Sequence, residues 1–207
     1  MALNSYTALK ASIASFLARD DLTGQIPDFI ALAEARMSRE LNTRNQVKRA
    51  TAATIANTEF ITLPTDMRQV RGVKLNSNPN KLLDYVTPSV YYDIYPGTGG
   101  GTPSVYTIIG AEIGFRPIPD SVQTIEIIYS DAIDSLSDSV SANTVLTQHP
   151  DIYLYGSLAQ AHAFLMDDAR ATQYDGLFSR IIDEIKNQTD AERYSGSLSI
   201  KTSYSGV

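Results

Sequence analysis

The residues of this chain that could support catalysis or bind a metal are few and scattered. The 207-residue sequence contains no cysteine and two histidines, so thiolate zinc sites, disulfides and cysteine nucleophiles are excluded. His149 precedes Pro150, which favours an extended linker or a helix cap. His162 falls on the apolar face of a predicted helix, where a hydrogen-bonded core histidine is the expected role. The sequence therefore predicts no metal site, no catalytic residue and no cofactor.

Two other patterns resemble functional motifs without completing them. The glycine-rich run at residues 97–101 lacks the Gly-Lys-Ser/Thr ending of a phosphate-binding loop, and Pro96 and Pro103 bracket it as an exposed loop. The carboxylate pairs Asp20-Asp21 and Asp167-Asp168 lie at predicted helix boundaries, where acidic side chains interact favourably with the helix dipole. We therefore expect a protein that is not an enzyme.

The charge balance argues against a protein that binds nucleic acid. The chain has 17 Lys and Arg against 23 Asp and Glu, a net charge of -6. Its basic residues are scattered apart from a modest cluster, whereas a protein that wraps nucleic acid normally shows a basic stripe. The cluster comprises Arg36, Arg39, Arg44, Lys48 and Arg49.

No apolar run approaches the ~20 residues of a membrane span, and the N-terminus lacks a signal peptide, so we expect a soluble, unexported protein.

Two outer blocks of the chain have helical periodicity. The first block, residues 4–49, predicts one helix capped by Asn4 or Ser5 and a second helix with Pro27 in its first turn. The last block, residues 150–193, predicts a helix from Pro150 and another from about Asp168. The expected buried face of the third helix comprises Ile152, Tyr155, Ala159, His162, Ala163 and Met166. Four helices with one apolar face each predict a four-helix bundle.

The middle block predicts five or six short strands between residues 59 and 129, hence a small antiparallel sheet. The predicted fold class is α+β, a four-helix bundle with an inserted small antiparallel β module and an extended C-terminal tail. The predicted division places the bundle in residues 1–55 and 141–194. The β module then occupies residues 56–140, and the tail occupies residues 195–207.

Two segments outside the predicted core have the composition of interaction sites. In the tail, larger side chains alternate with serines and Lys201, the period of a strand with one buried face, although a frayed terminus is the alternative. With no neighbouring strand in sequence, this segment is expected to pair with the sheet edge of another chain. The tail residues predicted to bind a partner are Leu198, Ile200, Thr202 and Tyr204. Those predicted around the glycine-rich loop are Tyr95, Gly97, Gly99, Gly101 and Tyr106.

Several stretches of the chain resemble a known family. They are residues 16–22 (FLARDDL), 26–41 (IPDFIALAEARMSREL), 63–68 (LPTDMR), 150–159 (PDIYLYGSLA) and 164–170 (FLMDDAR). Together, in this order and spacing, they resemble the head-to-tail adaptor (connector) proteins of tailed bacteriophages. The likeness is to the adaptors of short-tailed phages, a group that includes tail tubular protein A.

The resemblance implies a structural virion protein of the phage neck, assembled in the host cytoplasm. Such adaptors form a ring of twelve copies beneath the portal, continue the DNA channel used in genome ejection, and dock the tail or nozzle proteins. The expected partners are the portal protein, tail proteins and further copies of this chain, and DNA would pass without specific binding. A stopper, tail-completion or tail-tube protein is the alternative. A carbohydrate-binding module using the tyrosines between Tyr91 and Tyr106 is a more distant one.

Overall fold

The computed structural model describes residues 3–19, 21–41, 46–94 and 99–193. The elements in chain order are α1 (Tyr6–Leu17), α2 (Ile26–Glu40), β1 (Val47–Ala53), β2 (Phe60–Thr62), β3 (Met67–Leu75), β4 (Lys81–Tyr85), α3 (Pro88–Ile94), β5 (Gly100–Gly101), β6 (Val105–Ile109), β7 (Glu112–Arg116), β8 (Ile118–Pro119), β9 (Thr124–Asp131), α4 (Thr144–Gln148), α5 (Pro150–Phe164) and α6 (Asp168–Arg193). The chain divides into two compact units, a helical unit of Met1–Asn45 with Ile133–Val207 and a sheet unit of Gln46–Ala132.

The helices of the helical unit begin and end where local chemistry allows. The side chain of Ser5 accepts a hydrogen bond from the Ala8 amide at 3.2 Å, which caps α1. The helix ends at Ala18, which adopts a left-handed conformation with φ 50°. Pro27 and Pro150 lie in the first turns of α2 and α5, where a missing N–H costs nothing.

The core of the helical unit is formed by the apolar faces of α1, α2 and α6 together with α5, most of whose residues are buried. Its fully buried side chains include Leu9, Ile13, Ile26, Ile30, Met37, Ile152, Tyr153, Leu158, Phe178 and Ile182. The closest approach is at Gly156, where an added Cβ would lie 2.7 Å from Phe178 Cε2 and 3.1 Å from Ala33 Cβ. Because α2 and α6 both press against this position, only glycine fits there without a shift.

The sheet unit is built on seven strands in the order β1-β9-β3-β4-β6-β7-β2. Neighbouring strands are antiparallel except β4 and β6, which are parallel. The core lies against one face of this sheet and includes Val73, Leu75, Leu83, Ile113, Phe115, Ile125 and Ile127. A separate pair, β5 and β8, is parallel.

The prediction of a four-helix bundle carrying a small inserted β module is wrong. The described residues contain six helices and a seven-stranded sheet, so the sheet is a major part of the fold. The largest omission is β1, whose sequence VKRATAA contains good helix formers and was assigned to the first helical block. It is a strand because it pairs along its whole length with β9, a partner remote in sequence.

The predicted burial of Ala163 and Met166 is also wrong, because Ala163 is exposed on α5 and Met166 lies beyond its end. α5 ends at Phe164, and Met166 follows in a left-handed turn with φ 56°, so its side chain is 88% exposed. The helical spacing of apolar residues continues to Met166 in the sequence, although the helix ends at Phe164. Within the described part of the chain, no helix has the combined length and apolar character needed to cross a membrane.

Candidate functional site

Three of the predicted partner-binding residues, Gly99, Gly101 and Tyr106, lie within the described part of the chain. Tyr95 and Gly97 in the loop, and all four tail residues, lie outside the described residues. Gly99 is exposed and would have no atom within 4 Å of an added Cβ. Gly101 belongs to β5 and pairs with Pro119 of β8, so the end of the glycine-rich loop is held in a small parallel ladder.

The aromatic ring predicted to face a partner at Tyr106 is instead buried. Tyr106 is 5% exposed and belongs to the sheet core. Its ring contacts that of Tyr85, edge to face, with 5.6 Å between centroids, and Tyr85 is 55% exposed. Tyr85 therefore presents the aromatic surface here. Sequence reasoning missed it because β4 and β6 are joined by a parallel pairing that no local pattern indicates.

A cluster of aromatic and charged side chains anchors α3 on the sheet. We define the α3 aromatic cluster as Phe60, Tyr91, Tyr92 and Arg116. The fully buried Tyr91 ring lies 6.4 Å from Phe60 and 5.2 Å from Tyr92, and the Arg116 guanidinium is 5.3 Å from its centroid. Arg116 also forms a 2.9 Å ion pair with Glu59. The cluster fixes α3 and leaves the Tyr92 ring half exposed.

The protonation state of Tyr91 fits a structural role for this cluster. Burial, together with the nearby negative charge of Glu59, raises the pKa of Tyr91 far above its ordinary value. The phenol therefore stays neutral at physiological pH. Gly114 is required beside it, because an added Cβ would lie 2.6 Å from Phe60 Cε1 and 2.9 Å from the Tyr91 hydroxyl.

Two residues of the basic cluster in the sequence, Arg36 and Lys48, form ion pairs with carboxylates. Arg36 bonds Glu40 at 2.9 Å and also pairs with Asp175. Lys48 contacts Asp131 at 2.7 Å and Asp66 at 3.2 Å, and the hydrogen bond that Lys48 donates to Asp131 is the largest reason why the pKa of Lys48 is raised. Arg36 and Lys48 of the basic cluster are therefore engaged by carboxylates within the fold. Arg44 lies outside the described residues.

A buried carboxylate organises the connector before α4. Glu34 Oε1 accepts hydrogen bonds from the Leu136 amide at 2.8 Å and the Tyr153 hydroxyl at 3.1 Å. The Asn143 side chain donates to the same hydroxyl at 2.7 Å, while its oxygen caps α4. Burial raises the pKa of Glu34. The two donors to Glu34 are a backbone amide and the hydroxyl of a buried tyrosine. The cluster therefore holds chain segments in place, and its carboxylate is not exposed to a substrate.

The two histidines occupy structural positions. His149 lies between α4 and α5, as its place before Pro150 predicts. His162 is buried, and its ring stacks on Tyr174 with 5.3 Å between centroids. Its Nδ1 lies 3.7 Å from Asp167 Oδ2, beyond hydrogen-bond distance, and burial lowers its pKa. Among the described residues, no group of three or more His, Asp or Glu side chains is arranged to hold a metal ion.

Exposed apolar side chains occur on both units. In the helical unit they include Phe16, Leu32, Phe164 and Met166. In the sheet unit they include Leu82, Tyr85, Tyr92 and Val122.

Comparison with known proteins identifies the family. No curated protein matches the chain significantly. The family model described as SU10 adaptor protein matches residues 4–201. Because the match runs nearly the length of the chain and includes both units, this protein belongs to the SU10 adaptor protein family.

Proposed function

We propose that this protein is a head-to-tail adaptor that forms a ring beneath the portal of a tailed phage, continues its DNA channel and docks the tail. The observation that carries the proposal is the match to the SU10 adaptor family over residues 4–201. The closer likeness to the adaptors of short-tailed phages, including tail tubular protein A, is part of the proposal. An adaptor is a structural role, so the chain works through contacts and performs no reaction.

The exposed apolar residues of both units support a role in assembly. A protein placed between a portal, a tail and copies of itself needs several contact surfaces, and interface cores are enriched in aromatic side chains and Met. Tyr85 and Tyr92 in the sheet unit, and Phe164 and Met166 in the helical unit, are of this kind. The tail and the predicted loop residues other than the buried Tyr106 remain proposed contact sites, with the portal or a neighbouring copy as the tail's partner.

The pairing of basic residues supports a channel through which DNA passes without specific binding. DNA affinity comes mainly from Lys and Arg that neutralise phosphates. Here Arg36 and Lys48 are engaged by carboxylates, and the chain carries a net charge of -6. Such a surface favours sliding over retention.

The experiment is reconstitution with the portal protein of the same phage. Full-length protein is mixed with portal rings, and the complex is imaged by electron microscopy with symmetry analysis. We expect a twelvefold ring coaxial with the portal. The same protein lacking residues 195–207 should remain folded by circular dichroism and fail to dock. Density at the tube or tail tip, with none next to the portal, would contradict the adaptor role and favour another neck or tail component.

A further inference from the structure

One edge of the seven-stranded sheet is open. β1 pairs with β9 over its whole length, and no other described strand pairs with its far side. The Thr54 amide donates to the Gln123 carbonyl at 2.8 Å, so alternate residues back along β1, starting at Ala52, share hydrogen bonds with β9. The residues between them direct their backbone N–H and C=O groups to the open side. These residues are Val47, Arg49, Thr51 and Ala53.

This edge lacks the features that normally protect a strand from pairing. Protected edges are short, bulged, or carry Pro or a free charge. β1 is seven residues long and its register with β9 contains no bulge. Of its two charged residues, Lys48 pairs with Asp131, and the largely exposed Arg49 lies 3.9 Å from Glu126. The remaining residues, Val47 and the Ala-Thr-Ala-Ala of residues 50–53, are uncharged.

The opposite edge of the same sheet differs. β2 has three residues, Phe60–Thr62, and Pro64 follows shortly after. A strand so short offers few backbone groups to a partner. Of the two edges, β1 is therefore the one suited to receive a further strand.

We propose that the C-terminal segment of a second copy of this chain, residues 198–204, pairs with β1 as an additional strand. On the core side of β1 the side chains are Ala50 and Ala52, which pack beside the buried Ile127 and Ile125 of β9. Because alanine is short, the margin of the core next to β1 is thinly covered, and both alanines are only half-buried.

The tail sequence contains larger side chains that would cover this margin of the core. Its larger side chains alternate with polar ones, so a strand here directs one set to the core margin and the other to solvent. The set facing the core would be Leu198, Ile200, Thr202 and Tyr204. The set facing solvent would be Ser197, Ser199, Lys201 and Ser203.

The geometry of the chain allows the segment to reach another copy. α6 ends at Arg193, and residues 194–207 span roughly 45 Å when extended at ~3.3 Å per residue. This inference rests on the proposed ring. In a ring each copy donates its tail and accepts its neighbour's, a head-to-tail contact that leaves no β1 edge open once the ring closes.

Disulfide trapping tests the pairing directly, because the chain has no cysteine of its own. One copy carries Ala53→Cys on the solvent face of β1, and a second, size-tagged copy carries a single cysteine in the tail. Mixing the two ensures that a mixed crosslink is intermolecular. We expect crosslinks with Ser199→Cys or Lys201→Cys and not with Ile200→Cys, since strand neighbours share a face. Crosslinking without this alternation, or equally with Thr62→Cys on β2, would overturn the proposal.

A substitution in the edge itself provides the second test. Thr51→Pro removes an N–H that points to the open side and leaves the hydrogen bonds to β9 in place. Added to the Ala53→Cys copy, it should reduce the crosslinked fraction roughly tenfold or more, whereas Thr51→Val, which keeps the N–H, should not. If the Thr51→Pro protein does not fold, Ile200→Pro and Lys201→Pro are introduced separately into the tail donor. One of the two residues points its N–H to β1 whichever way the tail strand runs, so one of the two variants must produce the same loss. Unchanged crosslinking with both variants would refute the strand pairing.

The outcomes separate this inference from the proposed function. A twelvefold ring on the portal with no β1–tail crosslink overturns the strand pairing and leaves the adaptor role intact. Crosslinking with the predicted alternation in protein that does not bind portal supports the pairing and counts against the adaptor role. A crosslink found only within a single doubly substituted chain, Ala53→Cys with Ser199→Cys, would show that the tail pairs with its own β1, which also overturns the proposal.

Discussion

The packing at Gly156 allows a stability prediction in which two opposing effects can be separated. Replacing a glycine in a helix interior with alanine stabilises the helix by about 1 kcal/mol, since alanine loses less backbone entropy on folding. At Gly156 the new Cβ would lie 2.7 Å from Phe178 Cε2, 2.8 Å from Phe178 Cδ2 and 3.1 Å from Ala33 Cβ. Overpacking of this kind costs about 1–3 kcal/mol. We expect Gly156→Ala to lower the free energy of unfolding by up to about 2 kcal/mol.

Gly176 provides the matched control. It also lies inside a long helix, α6, but an added Cβ would have no atom within 4 Å. Gly176→Ala should therefore stabilise the protein by about 1 kcal/mol, the helix-propensity gain alone. The difference between the two variants, about 1–3 kcal/mol, isolates the cost of crowding Phe178 and Ala33. In a Phe178→Leu background Gly156→Ala should cost less than in the unsubstituted protein, because the leucine side chain removes the ring atoms that clash.

The assay is urea unfolding followed by circular dichroism at 222 nm, which reports the helices. In thermal unfolding of a chain this size, 1 kcal/mol corresponds to a shift of about 2–4 °C. If Gly156→Ala proved as stable as Gly176→Ala, the close approach of α2, α5 and α6 at this position would be refuted.

Three further predictions concern the sheet unit and the buried histidine. Gly114→Ala should destabilise the sheet unit by about 1–3 kcal/mol in urea unfolding, because its Cβ would meet the Phe60 ring and the Tyr91 hydroxyl; an equal effect of Gly72→Ala, which meets no atom, would contradict this. Lys48→Met leaves the nearly buried Asp131 without its cation and should cost about 1–2 kcal/mol, reduced because Lys48 is itself partly exposed; no loss of stability would exclude a structural ion pair. Burial lowers the pKa of His162, so its contribution to stability is complete above the unfolded-state pKa of about 6.5 and is lost as pH falls through the lower folded-state pKa. His162→Gln should weaken that acid destabilisation in melts between pH 7 and 5, and an identical pH profile would contradict the assignment.

Local sequence patterns were sufficient for the parts of the fold that depend on neighbouring residues. The caps and prolines at Ser5, Pro27 and Pro150 mark helix starts because they satisfy or remove N–H groups within one turn. The alternation of Ile125, Ile127 and Tyr129 in β9 indicates a strand because side chains on one face of a strand recur every second residue. Resemblance in the two helical blocks pointed to the adaptors, and the family match over residues 4–201 confirmed an adaptor family.

Features of the fold that depend on contacts between residues remote in sequence could not be predicted from local patterns. The strand β1 has the composition of a helix, and it becomes a strand because β9 supplies hydrogen bonds along its length. The exposure of Tyr85 and the burial of Tyr106 follow from the parallel pairing of β4 with β6. The intolerance of Gly156 and Gly114 to a side chain depends on rings brought there by other elements.

The sequence by itself determined the helix starts marked by Ser5, Pro27 and Pro150, the absence of cysteine chemistry, and the alternation in the tail, because each depends on residue types and short spacings. Only the tertiary structure decided which strand forms the open edge of the sheet. An edge is defined by the absence of a neighbour on one side, and that depends on how all the other strands pair. The alternation of side chains in the tail predicts that the tail pairs with another strand. The sheet topology leaves β1 with an unpaired side, and β1 is the partner strand that we propose.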